Sequence, residues 1–216
     1  MMDDEDNLAG DPVCYAHKLV GGHIVDEQTF QDVNRFRKSE RLRLVEKRKR
    51  LSSEERQQKT AALICRLRIL PDFEKARKVA AYWPIRGEPD LRSFMAELID
   101  AGKTVLLPVV VRKDAPVEFH RWYPGCKMTR GVWNIPVPAA AEPDIPDVVL
   151  SPLVGVDRDG FRLGNGGGYY DRTLAAFPEK QLVIGVGFAF CRIPTIFPMP
   201  WDVPMDIVVT EEGANR

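Results

Sequence analysis

The sequence predicts an α/β fold: an open, mainly parallel sheet with helices on both faces, in a three-layer Rossmann-like arrangement. Three observations carry this. Short β-branched apolar runs alternate along the chain with amphipathic helical segments. One run, residues 104–111, is almost continuously apolar, as expected of a strand covered on both sides. The chain has 216 residues, enough for one domain with a full core and an appendage.

Taken in order, residues 1–33 form an N-terminal extension with no clear helical or strand period. Cys14, His17, His23 and Asp26 lie within it, and the Cys-x-x-His spacing suggests zinc. That ligand set is incomplete for a structural finger, so the segment is read as an extension of unassigned role. Residues 34–216 form the single domain. Residues 34–50 hold nine Lys or Arg against Glu40 and Glu46, and Leu42, Val45 and Lys49 step at helical spacing along one narrow seam. Arg37 and Arg41, four apart, share a face and can reach one polyphosphate. Composition alone reads this helix as a solvated charged face. An RNA-binding helix would need aromatic side chains interleaved for base stacking, and these are lacking.

Ser52-Ser53-Glu54-Glu55 is a capping box opening the next helix. Its buried stripe is Ala61, Ala62, Leu63, Ile64, Leu67 and Leu70, and Pro71 ends it. Residues 78–83 read as a strand, followed by the turn-rich Pro84-Ile85-Arg86-Gly87-Glu88-Pro89. A helix over 91–101 is closed by Gly102. Strands follow at 104–111 and 117–123, then a loop carrying Trp133-Asn134-Ile135-Pro136-Val137-Pro138 and a proline-rich connector at 139–146. Residues 148–154 are a buried strand, 173–177 a short helix halted by Pro178, and 181–188 and 207–210 the last strands.

Between the strand at 148–154 and the short helix, the stretch 157–172 places four glycines (Gly164, Gly166, Gly167, Gly168) within five residues. Small backbone of this kind can approach phosphate oxygens closely. Arg162 and Arg172 flank it with positive charge, and Asp171 offers a hard oxygen for Mg²⁺. It is not a P-loop, which needs Gly-Lys-Ser/Thr at its end. Nor is it a dinucleotide fingerprint, whose third glycine is here Tyr169. A glycine cluster alone is usually a flexible surface loop. The paired Tyr169 and Tyr170 and the flanking charges favour a phosphate cradle. Because this loop and the Glu88 loop both follow strands, both should open at the carboxyl edge of the sheet.

Thirty-one basic and thirty-one acidic side chains cancel, so no global field draws the protein to nucleic acid or a membrane. Any attraction for anions is local. Cys14, Cys65, Cys126 and Cys191 are scattered without a CxxC pair, which suits a reducing compartment. The acidic start, Met1-Met2-Asp3-Asp4-Glu5-Asp6, is unlike a secretory signal, and no apolar run reaches membrane-spanning length. The expectation is a soluble, cytoplasmic protein.

The stretch Arg162-Leu163-Gly164-Asn165-Gly166-Gly167-Gly168-Tyr169-Tyr170-Asp171-Arg172 resembles the signature of the 5-formyltetrahydrofolate cyclo-ligases, also called 5,10-methenyltetrahydrofolate synthetases. The basic helix before Leu51-Ser52-Ser53-Glu54-Glu55-Arg56, the segment from Tyr82 to Glu88, Trp133-Asn134-Ile135-Pro136, and Asp202 and Asp206 fit in the same order. The resemblance covers roughly residues 35–212.

It implies an ATP- and Mg²⁺-dependent ring closure. ATP phosphorylates the formyl oxygen of 5-formyltetrahydrofolate, N10 attacks the activated carbon, and phosphate leaves to give 5,10-methenyltetrahydrofolate. By the same resemblance Arg37, Arg41 and neighbouring Lys38 meet the ATP phosphates. The cradle runs through Arg162, Leu163, Gly164, Asn165, Gly166, Gly167, Gly168, Tyr169 and Tyr170. Arg162 and Asp171 are the catalytic candidates, and Asp171 and Asp202 the metal candidates, with Asp206 a weaker one. Glu88 binds the pterin, and Tyr82, Trp133 and Tyr169 wall the folate site. Some relatives carry a basic residue where this chain has Asn165 or Gly167, which leaves more of the charge to the arginines. The expected partners are ATP and 5-formyltetrahydrofolate, with or without a polyglutamate tail, for a monomer that binds neither nucleic acid nor membrane. Two alternatives stay open: a relative acting on another heterocycle, and a nucleotide- or RNA-binding module without turnover.

Overall fold

The computed structural model describes residues 17–20 and 22–215. Its centre is a seven-stranded sheet, and the first described element is a hairpin. The hairpin pairs β1 (His17–Val20) with β2 (His23–Asp26) and runs into the long helix α1 (Glu27–Lys49). Then come α2 (Ser53–Arg68), α3 (Pro71–Lys75), β3 (Lys78–Ala80), α4 (Arg92–Asp100), β4 (Thr104–Val109) and β5 (Glu118–Trp122). A small ribbon joins β6 (Met128–Arg130) to β7 (Pro136–Pro138). Next are β8 (Val148–Pro152), the two-residue pair β9 (Gly155–Val156) and β10 (Arg162–Leu163), and α5 (Tyr169–Ala176). The chain finishes with β11 (Leu182–Val186), β12 (Ile207–Val209) and β13 (Ala214–Asn215).

The sheet order is β13-β12-β11-β8-β3-β4-β5. Pairing is parallel from β12 through β4, and antiparallel only at the edge strands β13 and β5. Side chains alternate across it as the pleat requires. Val79, Val105, Leu150, Ile184 and Val209 face the core shared with α2, α3 and α4. Ala80, Leu106, Val149, Val183 and Val208 face the opposite core, where Leu174 of α5 and Phe177 pack. Helices therefore cover both faces, and the predicted fold class holds. Among the described residues no helix is long and apolar enough to cross a membrane.

The capping box forms as read: the Ser52 hydroxyl accepts from the Glu55 amide at 3.1 Å, and the Glu55 carboxylate accepts from the Ser52 amide at 2.8 Å. Gly102 stands just past α4 at φ +81°, a left-handed turn that suits glycine.

Several expectations need correction. Pro71 does not end α2, which stops at Arg68; it opens α3 at a first-turn position where its missing N–H is harmless. The glycine-loop helix starts at Tyr169 rather than 173. Helix α1 starts at Glu27 rather than 34, capped by the Asp26 carboxylate, which accepts from Thr29 N at 2.7 Å. The segment read as aperiodic thus holds the hairpin and the first turns of α1. The seam of α1 is also different. Leu42 is 62% exposed, and the buried residues are Val33, Arg37, Leu44 and Arg48.

Leu44 anchors that face against Val154, Leu163, Ile193 and Ile196. A Cβ on Gly155 would come within 2.9 Å of the Leu44 Cδ1, so glycine is needed there for close approach. Leu44→Ala should therefore lower unfolding free energy by about 2–5 kcal/mol in urea titration. A loss below about 1 kcal/mol would mean that α1 is not anchored at this point.

Candidate active site

A cleft of about 1020 Å³ opens at the carboxyl edge of the sheet. The carboxyl ends of β4 and β8 border it through Pro108 and Pro152, the segment leaving β3 through Tyr82, and α1 and the glycine loop form further walls. This is where open parallel sheets place ligands, because the strand-to-helix connections diverge there.

The glycine loop is held from both ends. Buried Asp157 accepts from the amides of Asp159 (3.1 Å), Phe161 (2.9 Å) and Ile196 (3.2 Å), fixing the turn that leads into β10. At Gly164 a Cβ would lie 2.3 Å from Arg162 Nη1. Gly168, at φ +63°, turns the chain into α5. Arg162 is buried, donates to Asp171 Oδ2 at 3.1 Å, and lies 4.9 Å over the Tyr170 ring. Arg172 covers the Tyr169 ring at the same distance. The Nε atoms of Arg162 and Arg172 are buried without a hydrogen-bond partner.

Helix α1 brings two more guanidiniums. Arg37 donates to Ile196 O (2.9 Å) and Phe197 O (2.8 Å), and both of its Nη atoms meet the Asp202 carboxylate. Arg41 donates from Nε to Gly164 O at 2.8 Å, and among the described residues no carboxylate forms an ion pair with it. Burial lowers the Arg41 pKa, and the Arg37 and Arg162 cations lower it further. These like charges are held together by the fold, and an anion would relieve them.

Across the cleft, Arg86 (φ +49°) and Gly87 (φ +76°) turn the chain so that Glu88 points inward. Glu88 is 3% exposed. Its Oε2 accepts from Ile85 N at 3.0 Å; its Oε1 lies 3.5 Å from Asn165 Nδ2 and 3.6 Å from Arg48 Nη2. Burial raises its pKa above the ordinary 4.5, opposed by Arg48, the Ile85 amide and Asn165. The Tyr82 hydroxyl donates to Pro89 O at 3.0 Å, and burial raises the phenol pKa of both Tyr82 and Tyr170, so both rings stay neutral. Trp133, 64% exposed and at φ +55°, meets the Tyr169 ring edge-on at 5.4 Å.

The cleft thus gathers Arg37, Arg41, Arg162, Gly164 to Tyr170, Asp171, Tyr82, Glu88, Trp133 and Asp202. Other candidates lie elsewhere. Lys38 is exposed and outside the cleft. Leu163 turns its side chain into the core beside Leu44. Asp206 accepts from Val183 N at 2.8 Å and pairs with Lys180, leading into β12 away from the carboxyl edge. Of the zinc candidates, Cys14 lies outside the described residues, and His17 and Asp26 face each other across the hairpin. Among the described residues no group of three or more His, Cys, Asp or Glu is placed to hold a metal.

Sequence reading missed Arg48. It is buried, donates to Arg86 O at 3.0 Å and Leu153 O at 3.1 Å, and aims Nη2 at Glu88. The signal available was its phase on α1, one helical face with Arg37 and Arg41.

The profile of the 5-formyltetrahydrofolate cyclo-ligase family matches residues 33–211. The chain belongs to this family. A cyclo-ligase of Escherichia coli K12 is 32% identical over 173 residues, covering 76% of this chain and 94% of that protein. One of Mycolicibacterium smegmatis is 36% identical over 143 residues, covering 62% and 73%. The solution structure of Aquifex aeolicus 5,10-methenyltetrahydrofolate synthetase superposes with a TM-score of 0.74 at 34% identity, covering 83% of this chain and 92% of that one. In this cyclo-ligase the family match takes in the glycine loop, Glu88 and the arginines of α1, and leaves the hairpin outside.

Glu88 gives a pH test. Its folded pKa is raised, so its contribution to stability is fullest below the unfolded value near 4.5 and is lost as pH rises through the folded value. Gln does not titrate, so the stability of the wild type minus that of Glu88→Gln should fall over that rise. A flat or rising difference in denaturation series from pH 4 to 8 would mean that Arg48 outweighs the burial.

Proposed function

We propose that this cleft converts 5-formyltetrahydrofolate to 5,10-methenyltetrahydrofolate with ATP as co-substrate, releasing ADP and phosphate. One observation carries the reading. Guanidiniums with donors left over surround a glycine loop, and Asn165 of that loop reaches the buried Glu88 carboxylate. A polyanion site and an acceptor for heterocycle N–H groups therefore share one cavity. The names of the relatives, one for the substrate and one for the product, support the same conversion.

The chemistry suits these groups. An N-formyl oxygen is amide-like, and its carbon resists attack by N10. Transfer of the γ-phosphoryl group to that oxygen turns it into a leaving group. N10 then forms the new C–N bond and releases its proton to solvent, the C–O bond breaks, and phosphate departs. Most of the protein's work is positioning and charge stabilisation. Arg41, Arg162 and Arg172 offset the phosphoryl charge, and the loop amides supply donors. Glu88 accepts from the pterin ring, and Tyr82, Trp133 and Tyr169 supply apolar walls.

For Mg²⁺ the residues fit through Asp171. Its Oδ1 has only a 3.4 Å contact with Val203 N, and such an ion is commonly held by one or two carboxylates together with phosphates. Bound there, the ion would neutralise phosphate oxygens. Asp202 fits less well, since Arg37 and the Met199 amide engage both of its oxygens. The RNA-binding alternative loses ground, because Arg35, Arg43 and Lys49 on the outer side of α1 pair with Asp32, Glu40 and Glu46.

The decisive assay mixes protein, MgATP and 5-formyltetrahydrofolate and follows methenyl absorbance and ADP. One ADP per product is expected; no product over a wide protein range overturns the reading. Within it, Arg41→Ala should raise the ATP KM about 10- to 100-fold while Glu88→Ala raises chiefly the folate KM, each about 1.4–3 kcal/mol of lost binding. Equal effects on both ligands would remove the division of the cleft. Asp171→Asn should lower turnover most at limiting Mg²⁺, and an unchanged metal titration would take Asp171 out of the metal site.

A further inference from the structure

The N-terminal hairpin lies outside the family match, yet it borders the cleft. His23 of β2, Phe30 and Asn34 of α1, and Met199 and Trp201 near the C-terminus line one continuous end of the cavity. Phe30 meets Trp201 edge-on at 6.1 Å, and His23 lies 6.3 Å from the same ring. Val25, Val33 and Met199 bury themselves beneath, so the hairpin is packed onto this wall rather than suspended over it. The wall is aromatic and apolar, with one exposed carboxamide, Asn34, at its edge.

Helix α1 sets the spacing. Phe30, Asn34, Arg37, Arg41 and Arg48 fall within roughly one face at about 3.6 residues per turn. At about 1.5 Å per residue, Phe30 stands about 10 Å along the axis from Arg37 and about 16 Å from Arg41. Arg41 touches the glycine loop, and Arg48 meets Glu88 in the other direction. For a ligand whose phosphates sit at Arg41, with the folate toward Glu88 and Trp133, the Phe30 end of the cleft is left for the remainder. For a nucleoside triphosphate that remainder is the sugar and a flat base.

We propose that the hairpin and the His23–Phe30–Trp201 cluster form the nucleobase wall, with Asn34 offering amide hydrogen bonds to the base edge. This rests on the ATP reading above and assigns a role to a segment beyond the family's common domain.

The test uses the full chain. In His23→Ala/Phe30→Ala the ATP KM should rise at least tenfold. The folate KM and the inhibition constant of inorganic tripolyphosphate, which has no base, should stay within twofold. An unmoved ATP KM overturns the proposal, and so does a rise in the folate KM instead, which would assign the wall to the folate tail. If tripolyphosphate fails to compete with ATP in the wild type, the phosphate reading itself falls, a separate outcome.

Because the double variant could lose its fold, a second measurement uses the wild type. Carbethoxylation of His23 is followed by mass spectrometry, with exposed His17, which does not line the cleft, as internal control. ADP should slow modification of His23 at least fivefold without affecting His17, and 5-formyltetrahydrofolate alone should not. Absence of protection by ADP, or protection by folate alone, overturns the proposal.

Discussion

Everything at this site depends on α1 arginines whose guanidiniums are anchored by backbone carbonyl oxygens, with a close carboxylate pair only at Arg37. Arg37 holds Ile196 O and Phe197 O, Arg41 holds Gly164 O, and Arg48 holds Arg86 O and Leu153 O. One helix thereby ties together the C-terminal segment, the glycine loop and the Glu88 loop. Carbonyl dipoles meet part of the hydrogen-bonding needs of a guanidinium, with Arg48 Nη2 still lacking a partner, and leave its charge uncancelled. Had each arginine been given its own carboxylate, the cleft would be rigid and neutral. Leaving a buried cation without any partner costs several kcal/mol. The carbonyls reduce that cost while keeping the charge available to a ligand.

Where carboxylates do appear, they divide the cations by role. Asp202 neutralises Arg37 and also accepts from Met199 N at 2.6 Å, so this pair fixes the start of the site to the chain near Trp201. Asp171 restrains Arg162 through one oxygen only. Glu88 sits 3.6 Å from Arg48, beyond hydrogen-bond distance, and burial raises its pKa while Arg48 opposes this. A carboxylate left partly unsatisfied in this way is better matched to an incoming N–H donor than one already locked in a bidentate pair.

The legible parts of the sequence were those where local rules act alone. The strands β3, β4, β5, β8, β11 and β12 of the main sheet, the Ser52 capping box and the glycine cluster follow from periodicity and backbone sterics, and they stand close to where read. The short pairs β6–β7 and β9–β10 and the edge strand β13 carried no such signal. The buried face of helix α1 is not marked by its apolar residues. Its core face is Val33, Arg37, Leu44 and Arg48, and two of those four residues are cations whose burial depends on carbonyls distant in sequence. Arg48 was missed for the same reason. The hairpin was unreadable because four-residue strands with Leu19 and Ile24 both outward carry no clean alternation; contacts with Met199 and Trp201 shape it instead. Lys38 illustrates the opposite error. It adjoins Arg37 in sequence, but one residue along a helix turns about 100°, which is enough to send its charge into solvent.

The balance of charge makes the local field effective. Thirty-one acids offset thirty-one bases, and on the outer side of α1 Asp32, Glu40 and Glu46 each take a cation. Exposed pairs like these contribute little to stability. They do, however, offset part of the outward potential of a helix that would otherwise attract any polyanion more strongly. The potential remaining at Arg41, Arg162 and Arg172 acts within low-dielectric walls, where screening by salt is weaker than at the surface. A small polyanion able to enter the cleft would meet these inward cations, whereas a broad one such as RNA would meet an outer face where Arg35, Arg43 and Lys49 are already paired. Under the proposed function, shape and charge would favour the same class of ligand, and the aromatic ends of the cleft would distinguish among its members.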